Sequence, residues 1–180
     1  VGPTTDGNNF TLTVDNGGTL AINSEVIFDE GDTFTRANDF TLNNAGTTTI
    51  TGSIDINSAT NAFFSNTGTL SLAGSIVNAP AVNPASFTNN ANATFNLSGG
   101  IDNDVTLDFS ATGNTVNYAS NGSTEIEDPI ANTYYNLIVG GTSNRSLRDN
   151  IILDGNLTIQ NTARFNTNGV DISIDGNWTN

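Results

Sequence analysis

Residues 66–76 read NTGTLSLAGSI, and residues 44–54 read NAGTTTITGSI. At an offset of 22, Asn44 falls on Asn66, Gly46 on Gly68, Ile50 on Leu72, Gly52 on Gly74 and Ile54 on Ile76. A looser third copy, FTNNANATFNLSGGI from Phe87 to Ile101, echoes FSNTGTLSLAGSI from Phe64 to Ile76. A fourth, FNTNGVDISIDGNW from Phe165 to Trp178, sets Ile172, Ile174, Gly176 and Trp178 in the places of Leu70, Leu72, Gly74 and Ile76. A short echo, ILDGNL, runs from Ile152 to Leu157. A repeat of this length has to be placed first, because it decides the fold class.

Inside each copy the apolar residues alternate. Leu70, Leu72 and Ile76 face one way, and Thr69, Ser71 and Ala73 the other. Phe10, Leu12 and Val14 alternate with Thr11 and Thr13, and Val105, Leu107 and Phe109 with Thr106 and Asp108. A period of two means half-buried strands. No apolar period of 3.6 reaches helical length.

Strands recurring every 20 to 25 residues fit an antiparallel β-sandwich or a β-solenoid, in which each repeat is one coil stacked on the last. Three features favour the solenoid. The repeats resemble one another in sequence, as sandwich strands need not. Asn recurs at corresponding breaks, where amides stack into ladders. Gly recurs at fixed offsets, marking corners that need φ > 0. We therefore expect an all-β chain, one domain over 1–180, with loop excursions near 78–84 and 121–132. The default winding for parallel strands is right-handed. Roughly eight coils of about 22 residues, stacked at about 4.7–4.9 Å, make a rod on the order of 40 Å long.

Composition removes much chemistry. Of 180 residues 36% are hydrophobic, enough for a core, and only 12% are charged. The chain has no Cys, so no disulfide framework, thiolate nucleophile or Cys-based zinc site. It has no His, the commonest general base and metal ligand. The four cations are Arg36, Arg145, Arg148 and Arg164, so there is no Lys for a Schiff base or a phosphate loop. The net charge of −14 repels nucleic acid and anionic lipid. No apolar run approaches the ~20 residues of a membrane helix.

From Thr115 to Asn180 the motifs are more specific: VNY at 116–118, YYNLIV at 134–139, GNLTI at 155–159 and GNWTN at 176–180. This third of the chain resembles β-solenoid repeats of large secreted and cell-surface proteins of Bacteroidota. The resemblance implies an extracellular, adhesin-like module and no catalytic residues.

Candidate sites remain among the carboxylates. In IDNDVTLDF, an extended strand would set Asp102, Asp104 and Asp108 on one outward face, alternate residues about 6.5–7 Å apart. That spacing lies within the range of inverting glycoside hydrolysis. Asp29, Glu30 and Asp32 form an acidic turn that suits Ca²⁺. Glu125, Glu127 and Asp128 fall in a loop. Thr47, Thr49 and Thr51 alternate outward, as in a face that could meet ice. Tyr134, Tyr135 and Trp178 are candidates for sugar stacking, with core packing the simpler reading. Seven N-x-S/T sequons, at Asn9, Asn92, Asn96, Asn121, Asn144, Asn156 and Asn177, are expected by chance in so Asn-rich a chain.

Both ends stay in pattern with no capping helix, so either the segment belongs to a longer chain or its terminal edges pair with neighbours. The expected function is a non-catalytic structural or adhesive module, a stiff spacer or fibre subunit outside the bacterial cell. Its partners would be copies of itself, neighbouring modules or surface glycans. It is expected to need no cofactor, with a structural Ca²⁺ the one metal its acidic turn would suit. The alternatives are a carbohydrate-binding or polysaccharide-cleaving β-helix and an ice-binding solenoid.

Overall fold

In a computed structural model, the described residues are 10–28, 39–56, 61–78, 84–120, 124–142, 144–160 and 162–180. Their strands lie on three faces, and every pairing between them is parallel. The antiparallel sandwich is thereby discarded.

The first face begins with Phe10–Val14, Asp39–Asn44, Asn61–Asn66, Ala85–Asn89 and Val105–Asp108. A bridge from Phe109 to Tyr134 carries it on through Thr133–Tyr134, Ile151–Leu153 and Ile172–Ile174. The second face is one eight-stranded sheet, Thr19–Ile22, Thr47–Ile50, Thr69–Leu72, Thr94–Leu97, Thr115–Tyr118, Asn136–Val139, Leu157–Ile159 and Trp178–Thr179. The third face holds Val26–Phe28, Ile54–Ile56 and Ile76–Asn78, then the single bridge residue Ile101, then Thr124–Glu125, Asn144–Ser146 and Arg164–Asn166.

Six turns carry a strand on all three faces. The fourth turn has only Ile101 on its third face, and the eighth stops after two strands. About six complete turns thus replace the eight expected. The sequence step between register partners varies: Thr19 pairs with Thr47, Thr47 with Thr69, and Thr94 with Thr115. The expected excursions at 79–83 and 121–123 lie outside the described residues, as does the acidic turn of Asp29, Glu30 and Asp32. Within 124–132, a strand, a buried stretch at Ile126–Glu127 and a short 3-10 turn at Ile130–Asn132 follow one another.

Alternation sends one residue in two inside, and successive turns bury them against each other. Phe40, Phe64 and Phe87 stack along the axis with ring centroids 5.7 and 6.3 Å apart. Phe87 also meets Phe95 at 4.4 Å and Phe109 at 5.9 Å. Burying each such ring contributes roughly 1.5–3 kcal/mol. No single turn can bury its own inner side, so stability sums over neighbouring turns.

The expected asparagine ladder is present. At the corner between the first and second faces, Asn44 Nδ2 donates to Asn66 Oδ1 and Asn66 Nδ2 to Asn89 Oδ1, each at 2.8 Å. All three are buried. Asn114 then donates to the Asn89 carbonyl at 2.7 Å, and Asn136 to the Asn114 carbonyl at 2.8 Å. Further on the ladder emerges to solvent, where Asn156 Nδ2 donates to Asn136 Oδ1 and Asn177 Nδ2 to Asn156 Oδ1.

The repeated glycines serve a different end from the one expected. Positive φ occurs at Gly17, Gly113, Gly141 and Gly169, not at the repeated positions. A Cβ on Gly68 would lie 2.1 Å from the Gly46 carbonyl oxygen of the preceding turn. Glycine recurs there because adjacent turns touch backbone to backbone.

The fourth sequence copy was also set on the wrong column. Trp178 pairs with Leu157, in the column that leads back to Leu70 rather than to Ile76. Ile172 and Ile174 lie on the first face, not the second. VNY, the NLIV of YYNLIV, and the strands within GNLTI and GNWTN are successive rungs of the second face, while Tyr134 lies on the first.

Candidate functional site

The third face breaks where its fourth strand would be. Ile101 alone bridges to Ile76, and Asp102 N–H donates to the Ile76 carbonyl at 3.0 Å. Asp102 Oδ2 accepts the Asn78 N–H at 2.9 Å. On the other side, the Ile101 N–H meets Glu127 Oε1 at 2.9 Å, a carboxylate standing where a strand carbonyl would be. The break leaves a notch of about 270 Å³, walled by Asp102, Asn103, Glu127, Asp128 and Arg148 over an apolar floor of Val105 and Leu107.

Glu127 is buried, and burial raises its pKa while the Ile101 N–H opposes the shift. Burial also raises the pKa of Asp128, with Arg148 opposing. Arg148 binds the Glu125 carboxylate and Asn103 at the rim.

Behind the notch lies a closed polar ring. The Glu127 N–H donates to the Tyr118 hydroxyl at 3.2 Å, Tyr118 donates to Tyr134 at 2.9 Å, and Tyr134 donates to the Glu127 carbonyl at 2.6 Å. Both tyrosines are fully buried, and burial pushes both phenols upward, so they stay protonated through the ordinary pH range. Beneath them Arg145 is 0% exposed, with its guanidinium carbon 5.2 Å from the Tyr118 ring centroid. Its three side-chain nitrogens have no hydrogen-bond partner among the described residues. Burial lowers its pKa, opposed by the field of Tyr118 and Glu127.

Of the residues singled out in the sequence, Asp102, Glu127 and Asp128 meet at this notch, although they come from different turns. Asp104 and Asp108 do not. Asn103 and Asp104 form a turn closed by the Val105 N–H on the Asp102 carbonyl at 3.0 Å, so the three aspartates never share an extended strand. Asp108 Oδ1 instead accepts from Ser110 N and Oγ. Tyr134 is buried and excluded from sugar stacking, Tyr135 is half-buried, and Trp178 is exposed on the last turn. Among the described residues no three acidic side chains gather as metal ligands, and no helix is long and apolar enough to cross a membrane.

A buried carboxyl with raised pKa beside more exposed carboxylates is an arrangement that suits proton transfer. The same carboxylate also has a structural task, completing the backbone pairing of Ile101. The burial of Arg145 was readable: in NRSL it alternates inward with Leu147. The contact of Glu127 with Ile101 carries no sequence signal. Comparison with family models, curated proteins and solved structures finds no match.

Proposed function

We propose that this chain is a non-catalytic structural module of an extracellular bacterial surface protein: a stiff, right-handed β-solenoid acting as a spacer or self-assembling fibre subunit. The observation that carries this reading is the repeated stacking of turn on turn. Asn44, Asn66 and Asn89 bond side chain to side chain from one turn to the next, and Phe40, Phe64 and Phe87 stack along the same axis. Each turn meets its neighbour through the same contacts, which suits a stiff rod. The placement outside the cell follows from the resemblance of 115–180. Electron microscopy with sedimentation across salt and calcium concentrations tests the stacking: end-on fibrils are expected, and only monodisperse single particles would remove it.

A second reading, a polysaccharide-binding or -cleaving β-helix, draws on the notch with its raised carboxyl at Glu127. A glycan array and a reducing-sugar assay decide it, and silence on both eliminates it.

A further inference from the structure

We propose that the outward side of the second face is an ice-binding surface. Register pairing puts Thr19, Thr47, Thr69, Thr94 and Thr115 in one continuous rank across five turns. Unequal turn lengths hide this column in the sequence. Beside it run Thr49, Ser71, Asn96 and Asn117, two residues along each strand. Rungs about 4.8 Å apart and alternate residues about 6.6 Å apart make a regular two-dimensional lattice of polar groups. The oxygen rows of ice repeat on the same scale.

Three further observations bear on what the lattice meets. First, the five threonine hydroxyls make no hydrogen bond within the described residues, whereas those of Thr48, Thr51, Thr67, Thr133 and Thr167, which lie outside the rank, do. Threonine β-branching holds χ1 in place, so these groups are pre-set rather than floppy. The second rank is tied along the axis, Asn96 Nδ2 to Ser71 Oγ at 3.1 Å and Asn117 Nδ2 to Asn96 Oδ1 at 3.0 Å. Second, no Asp, Glu or Arg stands in any of the eight strands of this sheet, on a chain of net charge −14. Ice excludes ions and their hydration shells, and this face has none to strip. Third, no aromatic ring faces outward from these strands: Phe95 and Tyr118 are fully buried, and Trp178 lies in the inward column of Leu157. A polysaccharide surface is gripped chiefly by ring stacking, so the face suits ordered water instead.

The test is uptake of the 180-residue chain into a slowly growing ice front, together with thermal hysteresis. Native protein is expected to enter the ice and to separate freezing from melting. Thr69→Lys/Thr94→Lys should lose both effects, and Thr69→Ala/Thr94→Ala should lose most of them with an unchanged circular dichroism spectrum. Thr41→Lys, outward on the first face, should keep both. Exclusion of the native chain from ice overturns the proposal, as does retention of both effects by the lysine variant. Adsorption to crystalline cellulose without ice uptake, or a dimer abolished by the same substitutions, would assign the face to another occupant and overturn it equally.

Discussion

Turns two to four and turns five to six share one parallel frame but fill it differently. The first group repeats a single solution. Phenylalanine stacks on phenylalanine, Asn44 on Asn66 on Asn89, and Gly46 under Gly68. The second group holds partners used only once: a tyrosine pair, a carboxylate replacing a strand carbonyl, and an arginine whose guanidinium has no hydrogen-bond partner among the described residues. Repetition makes each contact available to the next turn and so gives a ladder. A unique polar interior has to satisfy itself locally, and where the two groups meet, at Ile101 of turn four, the third face gives way to a notch.

The largest effect expected from breaking this contrast is in the repeated half. Phe87 is 0% exposed and touches Phe64, Phe95 and Phe109. Phe87→Ala should lower stability by about 3–5 kcal/mol, read from the urea midpoint. In the unique half the sign reverses. An unpaired buried guanidinium is costly, so Arg145→Met combined with Glu127→Gln should leave stability unchanged or raise it by about 1–4 kcal/mol in the same titration. A drop would mean that the ring of Tyr118, Tyr134 and Glu127 depends on that charge.

The asparagines sharpen the comparison on a smaller scale. Asn66 donates to Asn89 and to the Thr94 carbonyl while accepting from Asn44, all inside the protein. Asn66→Ala strands buried partners and should cost about 1–3 kcal/mol. Asn156→Ala, on the exposed part of the ladder, should stay within about 0.5 kcal/mol in thermal melts.

The smallest expected effect is on pH. Burial raises the folded-state pKa of Glu127 and Asp128 above their unfolded values. The native state therefore holds their protons more tightly, and stability falls as pH rises through the folded-state pKa. The melting temperature should rise as pH is lowered from 7 toward the ordinary carboxylate range, and Glu127→Gln should flatten most of that slope.

What was legible in the sequence divides along the same line. Alternation and the Asn and Gly repeats disclosed strands, coils and the ladder, because each turn restates the same contact. The face on which a strand sits was less legible. Ile172, Ile174 and Trp178 carry the same apolar alternation as Leu70 and Leu72, yet they occupy two faces. Apolar alternation states that one side is buried and not which side of the prism it lies on. The notch was hidden because Glu127 and Ile101 meet once, with no second copy to expose the pairing.

Register between turns is the claim on which the rod, the ladders and the threonine rank all stand. The chain has no native cysteine, so paired substitutions read it directly. Thr49 and Ser71 are register partners on adjacent rungs, about 4.8 Å apart at Cα and within disulfide reach. Thr49→Cys/Ser71→Cys should close under mild oxidation, and Thr47→Cys/Ser71→Cys, two residues out of step, should not. Equal closure of both pairs, or closure of the second alone, would contradict the stacked, in-register coil.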